Sequence, residues 1–152
     1  MSCVKKISEP VEMNIDCEKY YYFMKNTVYH IPNITSTIQN VSVHEGDWDN
    51  SSHESIKVWN YNINGKAEVL KERPEFDDEK HLFSFTAIEG DVLEKYKSLK
   101  ISHHPVQKGP KQCVVYISIE YEKYNPTTPD PYNYLQFITK FIKDAEAYLI
   151  HN

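Results

Sequence analysis

At 152 residues the chain is about one domain on the usual scale of roughly 100–200 residues, and it can bury a core without disulfide or metal staples. Hydrophobic residues at 40% and charged residues at 26% give the balance of a soluble globular protein rather than a disordered or fibrous one. Seventeen Lys+Arg against 22 Asp+Glu leave a net charge of −5, and Arg73 is the sole arginine, which excludes a phosphate-neutralising grip on nucleic acid.

The alternation Val11, Met13, Ile15 predicts a half-buried strand closing the segment from Val4 to Ile15. Asp16 then reads as the N-cap of a short helix through Tyr20-Tyr21-Tyr22-Phe23-Met24, with Glu18 in its first turn. A second short helical piece is expected around Ile31-Pro32-Asn33-Ile34, since proline suits a first turn. Strand patterns follow at Ile38–Glu45, Ser55–Ile63, Lys66–Arg73, His81–Glu89, Tyr96–His104 and Gln112–Glu122. Asn64-Gly65 is the strongest turn signal, because both central residues of a type I′ hairpin need positive φ. A last helix is predicted from Pro131 to about His151, with Asp130 as N-cap and Tyr134, Phe137, Ile138, Phe141, Ala145, Tyr148 and Leu149 on one face. Seven antiparallel strands with one apolar face, covered by that helix, make an α+β protein of one domain over residues 1–152.

No apolar run reaches the roughly 18 residues of a membrane span, and Met1–Lys6 lacks the apolar region of a signal peptide, so a cytoplasmic protein with no membrane partner is expected. Cys3, Cys17 and Cys113, odd in number and far apart, read as reduced thiols rather than a disulfide framework. The sequons at Asn33, Asn40 and Asn50 are then inert. The seven histidines show no metal-ligand spacing, and there is no nucleophile elbow, dinucleotide fingerprint or phosphate loop, so no metal and no cofactor are expected. Twelve Tyr, 6 Phe and 2 Trp must either fill a core or line a hollow.

Tyr29-His30-Ile31-Pro32-Asn33, His44-Glu45-Gly46-Asp47-Trp48, Ser55–Tyr61, Gly65-Lys66-Ala67, Ile88-Glu89-Gly90-Asp91, Tyr96-Lys97-Ser98 and Glu120-Tyr121-Glu122-Lys123 occur in an order that resembles the plant major latex protein family, part of the Bet v 1 (birch pollen major allergen) superfamily. The resemblance covers nearly the whole chain. It implies a helix-grip fold: a seven-stranded antiparallel sheet wrapped around a long C-terminal helix, with two short helices closing a hydrophobic cavity. It further implies a monomer or weak dimer that binds small hydrophobic plant metabolites of terpenoid, alkaloid, steroid or flavonoid type. The alternative it implies is a cofactor-free cyclase or isomerase of a reactive monoterpenoid, iridoid or alkaloid intermediate. A third, a signalling receptor, rests on analogy of fold alone. The loop Glu45–Glu54 departs from the superfamily, with Gly46 as its one glycine and four acidic residues, so a solvated rim is expected there rather than a phosphate site.

Alternation assigns the inward faces: Trp59 and Tyr61; Phe83, Phe85 and Ala87; Leu99, Ile101 and His103; Val115, Ile117, Ile119 and Tyr121. Together with Tyr134, Phe137, Ile138 and Phe141 they predict an aromatic-walled pocket with a few polar tips; the competing expectation is a filled core. His103 stands where a third apolar side chain is expected and can relay a proton near neutral pH, unless Pro105 disturbs the register and turns it outward. Tyr61 and Tyr134 offer phenols to a ligand oxygen, or are core rings with satisfied hydroxyls. His30 either contacts a ligand near the entrance or packs on Tyr29. Glu68 with Glu72, and Glu120 with Glu122, share strand faces and read as solvated carboxylates, although a buried one would have a raised pKa. The last strand has no inward lysine, which argues against amine chemistry; Lys57 and Lys66 are weaker candidates.

Overall fold

The turn Asn64-Gly65, with φ of 51° and 78°, sets the register of the sheet's central hairpin. In the computed structural model, which describes residues 3–46, 48 and 55–152, β3 (Ile56–Ile63) returns directly into β4 (Lys66–Asp77), pairing Ile63 with Lys66 and Lys57 with Glu72. The remaining strands are β1 (Val4–Met13), β2 (Ile38–Glu45), β5 (Leu82–Gly90), β6 (Tyr96–Gly109) and β7 (Gln112–Lys123). All neighbours are antiparallel in the order β1-β7-β6-β5-β4-β3-β2, so the sheet is open and not a barrel. β5 and β6 pair through only four residues each, Phe83–Thr86 against Lys100–His103. This is the helix-grip arrangement expected from the resemblance.

Two strands run further than the pattern suggests. β4 continues through Pro74, opposite Phe85, and β6 continues through Pro105, opposite Val115. Neither proline breaks the ladder, so the alternation that turns His103 inward survives. Gly90 holds φ at +137° beside β4, where a Cβ would strike the Val69 carbonyl oxygen.

α1 (Cys17–Asn26) buries Tyr20, Tyr21, Phe23 and Met24, one helical stripe. Asp16 holds the N-cap position but makes no capping hydrogen bond to the helix. Its Oδ1 instead accepts from Gln107 Nε2 and the Lys111 N–H, both at 2.8 Å, while Gln107 Oε1 accepts the Cys17 N–H at 2.9 Å. One glutamine thus satisfies a helix-start donor and ties the helix to the β6–β7 turn. At the same corner Cys17 and Cys113 form a disulfide with Cα atoms 5.2 Å apart, which corrects the expectation of reduced thiols; Cys3 is free and exposed. A 3₁₀ segment, Val28–Asn33, follows α1, and an unanticipated one, Asp91–Glu94, follows β5.

α2 (Tyr132–Ile150) is 19 residues, about 28 Å of helix. Tyr134, Leu135, Ile138, Phe141, Ile142, Ala145 and Leu149 bury a continuous face. Pro131, not Asp130, occupies its N-cap position. Asp130 accepts from Tyr121 Oη at 2.5 Å and pairs with Lys123 at 3.0 Å, so it anchors the chain to β7 instead of capping the helix.

Candidate functional site

The sheet and α2 do not close on each other completely. Between them lies a cavity of about 100 Å³ walled by Met24, Ile38, Trp59, Tyr61, Leu70, Glu72, Phe85, Val92, Ile101, His103, Tyr134, Phe137, Ile138 and Phe141. Aromatic side chains from β3, β5 and α2 hold the layers apart: Tyr61 meets Phe137 with ring centroids 5.4 Å apart, and Trp59 meets Phe85 edge-on at 6.5 Å. Larger hollows, such as the one of about 500 Å³ bordered by Glu75, Asp77, Asp78, Lys100 and Ser102 together with Phe76, Leu82 and Phe83, have walls of mixed polar and apolar character. The apolar space between the sheet and α2 is the better match to a ligand site.

Of the residues singled out in the sequence, Trp59, Tyr61, Phe85, Ile101, His103, Tyr134, Phe137, Ile138 and Phe141 line this cavity. Phe83, Leu99 and Ile117 lie behind it in the packed core, each 3% exposed or less. His30 is absent from the wall; its ring packs on Tyr29 at 4.4 Å, and Tyr29 packs in turn on Trp48. Of the rim loop 45–54, residues 47 and 49–54 lie outside the described residues, and with them the Asn50 sequon.

His103 is 2% exposed and stacked on Phe83, with ring centroids 4.5 Å apart. Its Nδ1 shares a 2.9 Å hydrogen bond with the Tyr20 hydroxyl. Burial pulls the imidazole down to about 3, so it is neutral at physiological pH and offers one donor and one acceptor nitrogen. Tyr20 carries its own buried phenol well above the ordinary range.

The two glutamates of β4 overturn the expectation of a solvated face. Glu68 is 3% exposed, and its Oε1 accepts from Tyr61 Oη at 3.0 Å and Tyr134 Oη at 2.6 Å, joining β3, β4 and α2 at one oxygen. Burial, and then the charge of Glu68, push the Tyr61 phenol well above its usual range. Burial, followed by the hydrogen bond to Glu68, does the same to Tyr134. Both hydroxyls are therefore committed as donors to protein, the satisfied-core alternative.

Glu72 is 1% exposed and lines the cavity. Its Oε1 accepts from Trp59 Nε1 at 2.9 Å, while Oε2 has no hydrogen-bond partner. Burial lifts its carboxyl to about 8, against the lowering effects of the Trp59 hydrogen bond and the Lys57 charge. Lys57, its cross-strand partner, is 1% exposed and donates to Ser55 Oγ at 2.8 Å. By contrast Glu120 and Glu122 lie half-buried on the other face of β7 from Tyr121. A turn of two residues fixes cross-strand partners, and cross-strand partners share a face. Inward Tyr61 therefore implies inward Glu68, and inward Lys57 implies inward Glu72: the signal was present in Asn64-Gly65.

Among the described residues no helix is long and apolar enough to cross a membrane. The sequence model of the pathogenesis-related protein Bet v 1 family matches residues 2–152. MLP-like protein 329 of Arabidopsis thaliana is 36% identical over 141 residues, covering 92% of each chain. The crystal structure of major latex-like protein 151 from Panax ginseng superposes with a TM-score of 0.89 at 33% identity, covering 95% of this chain and 97% of that one. Norcoclaurine synthase of Thalictrum flavum, solved with dopamine and hydroxybenzaldehyde, shares the fold alone, with a TM-score of 0.77 at 19% identity over 98% of this chain and 87% of that one. By sequence and by fold, the chain belongs to the Bet v 1 family, within its major latex protein branch.

Proposed function

We propose that the protein binds a small hydrophobic metabolite between the sheet and α2, and that binding without turnover is its primary role. The observation that carries this reading is the cavity between the sheet and α2, whose wall is aliphatic and aromatic apart from the side chains of His103, Glu72, Tyr61 and Tyr134. Membership of a superfamily of hydrophobic-ligand binders supports it. A volume of about 100 Å³ is well below the roughly 300–1,000 Å³ of ordinary small-molecule sites. A cavity of about 150 Å³ holds a ring the size of benzene, so even a ten-carbon terpenoid requires the wall to move, and a steroid or flavonoid requires it to move further; the smaller skeletons are therefore favoured.

A second reading, a cofactor-free cyclase or isomerase, is favoured by one observation: His103 and Glu72, two groups able to move protons, belong to the same cavity wall. Tyr61 and Tyr134 would act there as positioning residues through Glu68. The test is incubation of purified protein with a panel of terpenoid, alkaloid, steroid and flavonoid compounds, with bound and free fractions read by mass spectrometry. Retention of one compact class unchanged is expected. A new isomer in the free fraction, absent with boiled protein, would replace the carrier reading with the enzyme; no retention and no conversion would refute both.

A further inference from the structure

We propose that Glu72 is the polar anchor of the cavity, selecting ligands that carry an acceptor oxygen, foremost a carbonyl, by donating a hydrogen bond from Oε2. This rests on the cavity-binding reading and adds the ligand's chemistry to it. The geometry assigns different roles to the two carboxyl oxygens. Trp59 N–H donates to Oε1, which must therefore accept, so a proton carried by Glu72 resides on Oε2. Oε2 is buried, has no partner, and belongs to a side chain on the cavity wall. A buried polar group in this condition is costly unless something satisfies it, and a ligand that displaces the apolar atoms between Oε2 and the cavity bordered by the same side chain would supply the missing partner.

The surroundings favour the neutral acid. Lys57 across the ladder is the cation nearest in register, and it is engaged with Ser55. β5 presents Ala87 opposite Glu72, β6 presents neutral His103 and Ile101 to the cavity, and α2 presents Phe137, Ile138 and Phe141. Tyr61 and Tyr134 face the same space, but their hydroxyls are held by Glu68. A ligand with a carbonyl at the Glu72 end and a hydrocarbon body along Phe85 and Phe137 would meet Oε2 and keep its apolar atoms on aromatic wall. A pure hydrocarbon leaves Oε2 unmet.

The experiment compares carvone with limonene, which share a carbon skeleton and differ by a ketone. Headspace gas chromatography reads the depletion of each volatile by wild-type protein, Glu72→Gln and Glu72→Met, at pH 6.5 and pH 9. The carvone-to-limonene affinity ratio is compared between variants, so that intrinsic hydrophobicity cancels. At pH 6.5 the wild-type ratio is expected to exceed that of Glu72→Met by about five- to tenfold, the worth of one buried hydrogen bond. At pH 9 the wild-type advantage should shrink by a similar factor as Oε2 loses its proton. Glu72→Gln, whose amide N–H₂ donates in place of the acid, should keep its ratio at both pH values. If Glu72→Met fails to fold, the contrast in pH response between wild type and Glu72→Gln still decides. Limonene and carvone binding with ratios unmoved by pH or substitution would overturn the Glu72 assignment and leave the cavity reading standing. No saturable binding of either compound to wild type would remove both.

Discussion

Between pH 6.5 and 8 the folded protein is expected to lose stability as pH rises, and Glu72 is the cause. Its carboxyl titrates near 4.5 when unfolded and near 8 in the folded protein. In that interval the native state holds a proton that the unfolded chain has released, so each pH unit upward favours unfolding by about 1.4 kcal/mol. From pH 6.5 to 8 this amounts to about 2 kcal/mol, or roughly 4–8 °C in Tm for a chain of this size. His103 acts in the opposite sense. Its imidazole titrates near 6.5 unfolded and near 3 folded, so acidification below 6.5 favours the unfolded state. Between 4.5 and 6.5 the two slopes cancel, which predicts a plateau. Asp78 and Asp130, held below the usual carboxylate range by their hydrogen bonds to Lys25 and Tyr121 respectively, add losses only at still lower pH. The assay is urea unfolding of wild type and Glu72→Gln from pH 4.5 to 8, taken as a difference so that surface groups drop out. Glu72→Gln should be flat above 6.5 and should fall by about 1.4 kcal/mol per pH unit between 6.5 and 4.5, where the opposing slope has gone. Parallel profiles for the two proteins would refute the reasoning.

The Cys17–Cys113 disulfide spans 96 residues, and its reduction, or the double substitution to alanine, is expected to cost about 2–4 kcal/mol in denaturant unfolding; identical midpoints with and without reductant would contradict this. Glu68→Leu leaves the phenols of Tyr61 and Tyr134 without their acceptor and should cost about 2–5 kcal/mol. Tyr134→Phe, which leaves Tyr61 paired, should cost about 1 kcal/mol by the same measurement. Gly90→Ala, which puts a Cβ against the Val69 carbonyl at φ +137°, is expected to destabilise by about 2 kcal/mol or more, and a neutral effect would argue against that close approach.

Local periodicity carried most of the fold. β2 runs over the residues its alternation indicates, Ile38–Glu45, and α2 lies within one residue of the expected start and end, because each buries a face whose spacing is written in neighbouring residues. What was not legible is long-range. Cys17 and Cys113 meet only because β1 pairs with β7, placing Met13 opposite Cys113 with α1 starting a few residues later. Asp16 and Asp130 have good capping chemistry, yet partners from β6 and β7 outbid the helix termini. The buried glutamates are a different case. Carboxylates on a strand are usually solvated, yet the hairpin register places Glu68 beside Tyr61 and Glu72 beside Lys57 on the inward face. The polar part of the site was therefore readable from the hairpin turn, whereas Met24 and Val92 reach the cavity wall through packing that no local pattern encodes.

The central claim is that a compact hydrophobic ligand occupies the space between the sheet and α2. Its most direct test is a methyl-resolved NMR titration of Ile/Leu/Val-labelled protein with carvone. Saturable shifts are expected, confined to Ile38, Leu70, Val92, Ile101 and Ile138, all on the cavity wall. Shifts concentrated instead on the exposed Val4, Val69 and Ile150 would place the ligand on the surface and contradict it.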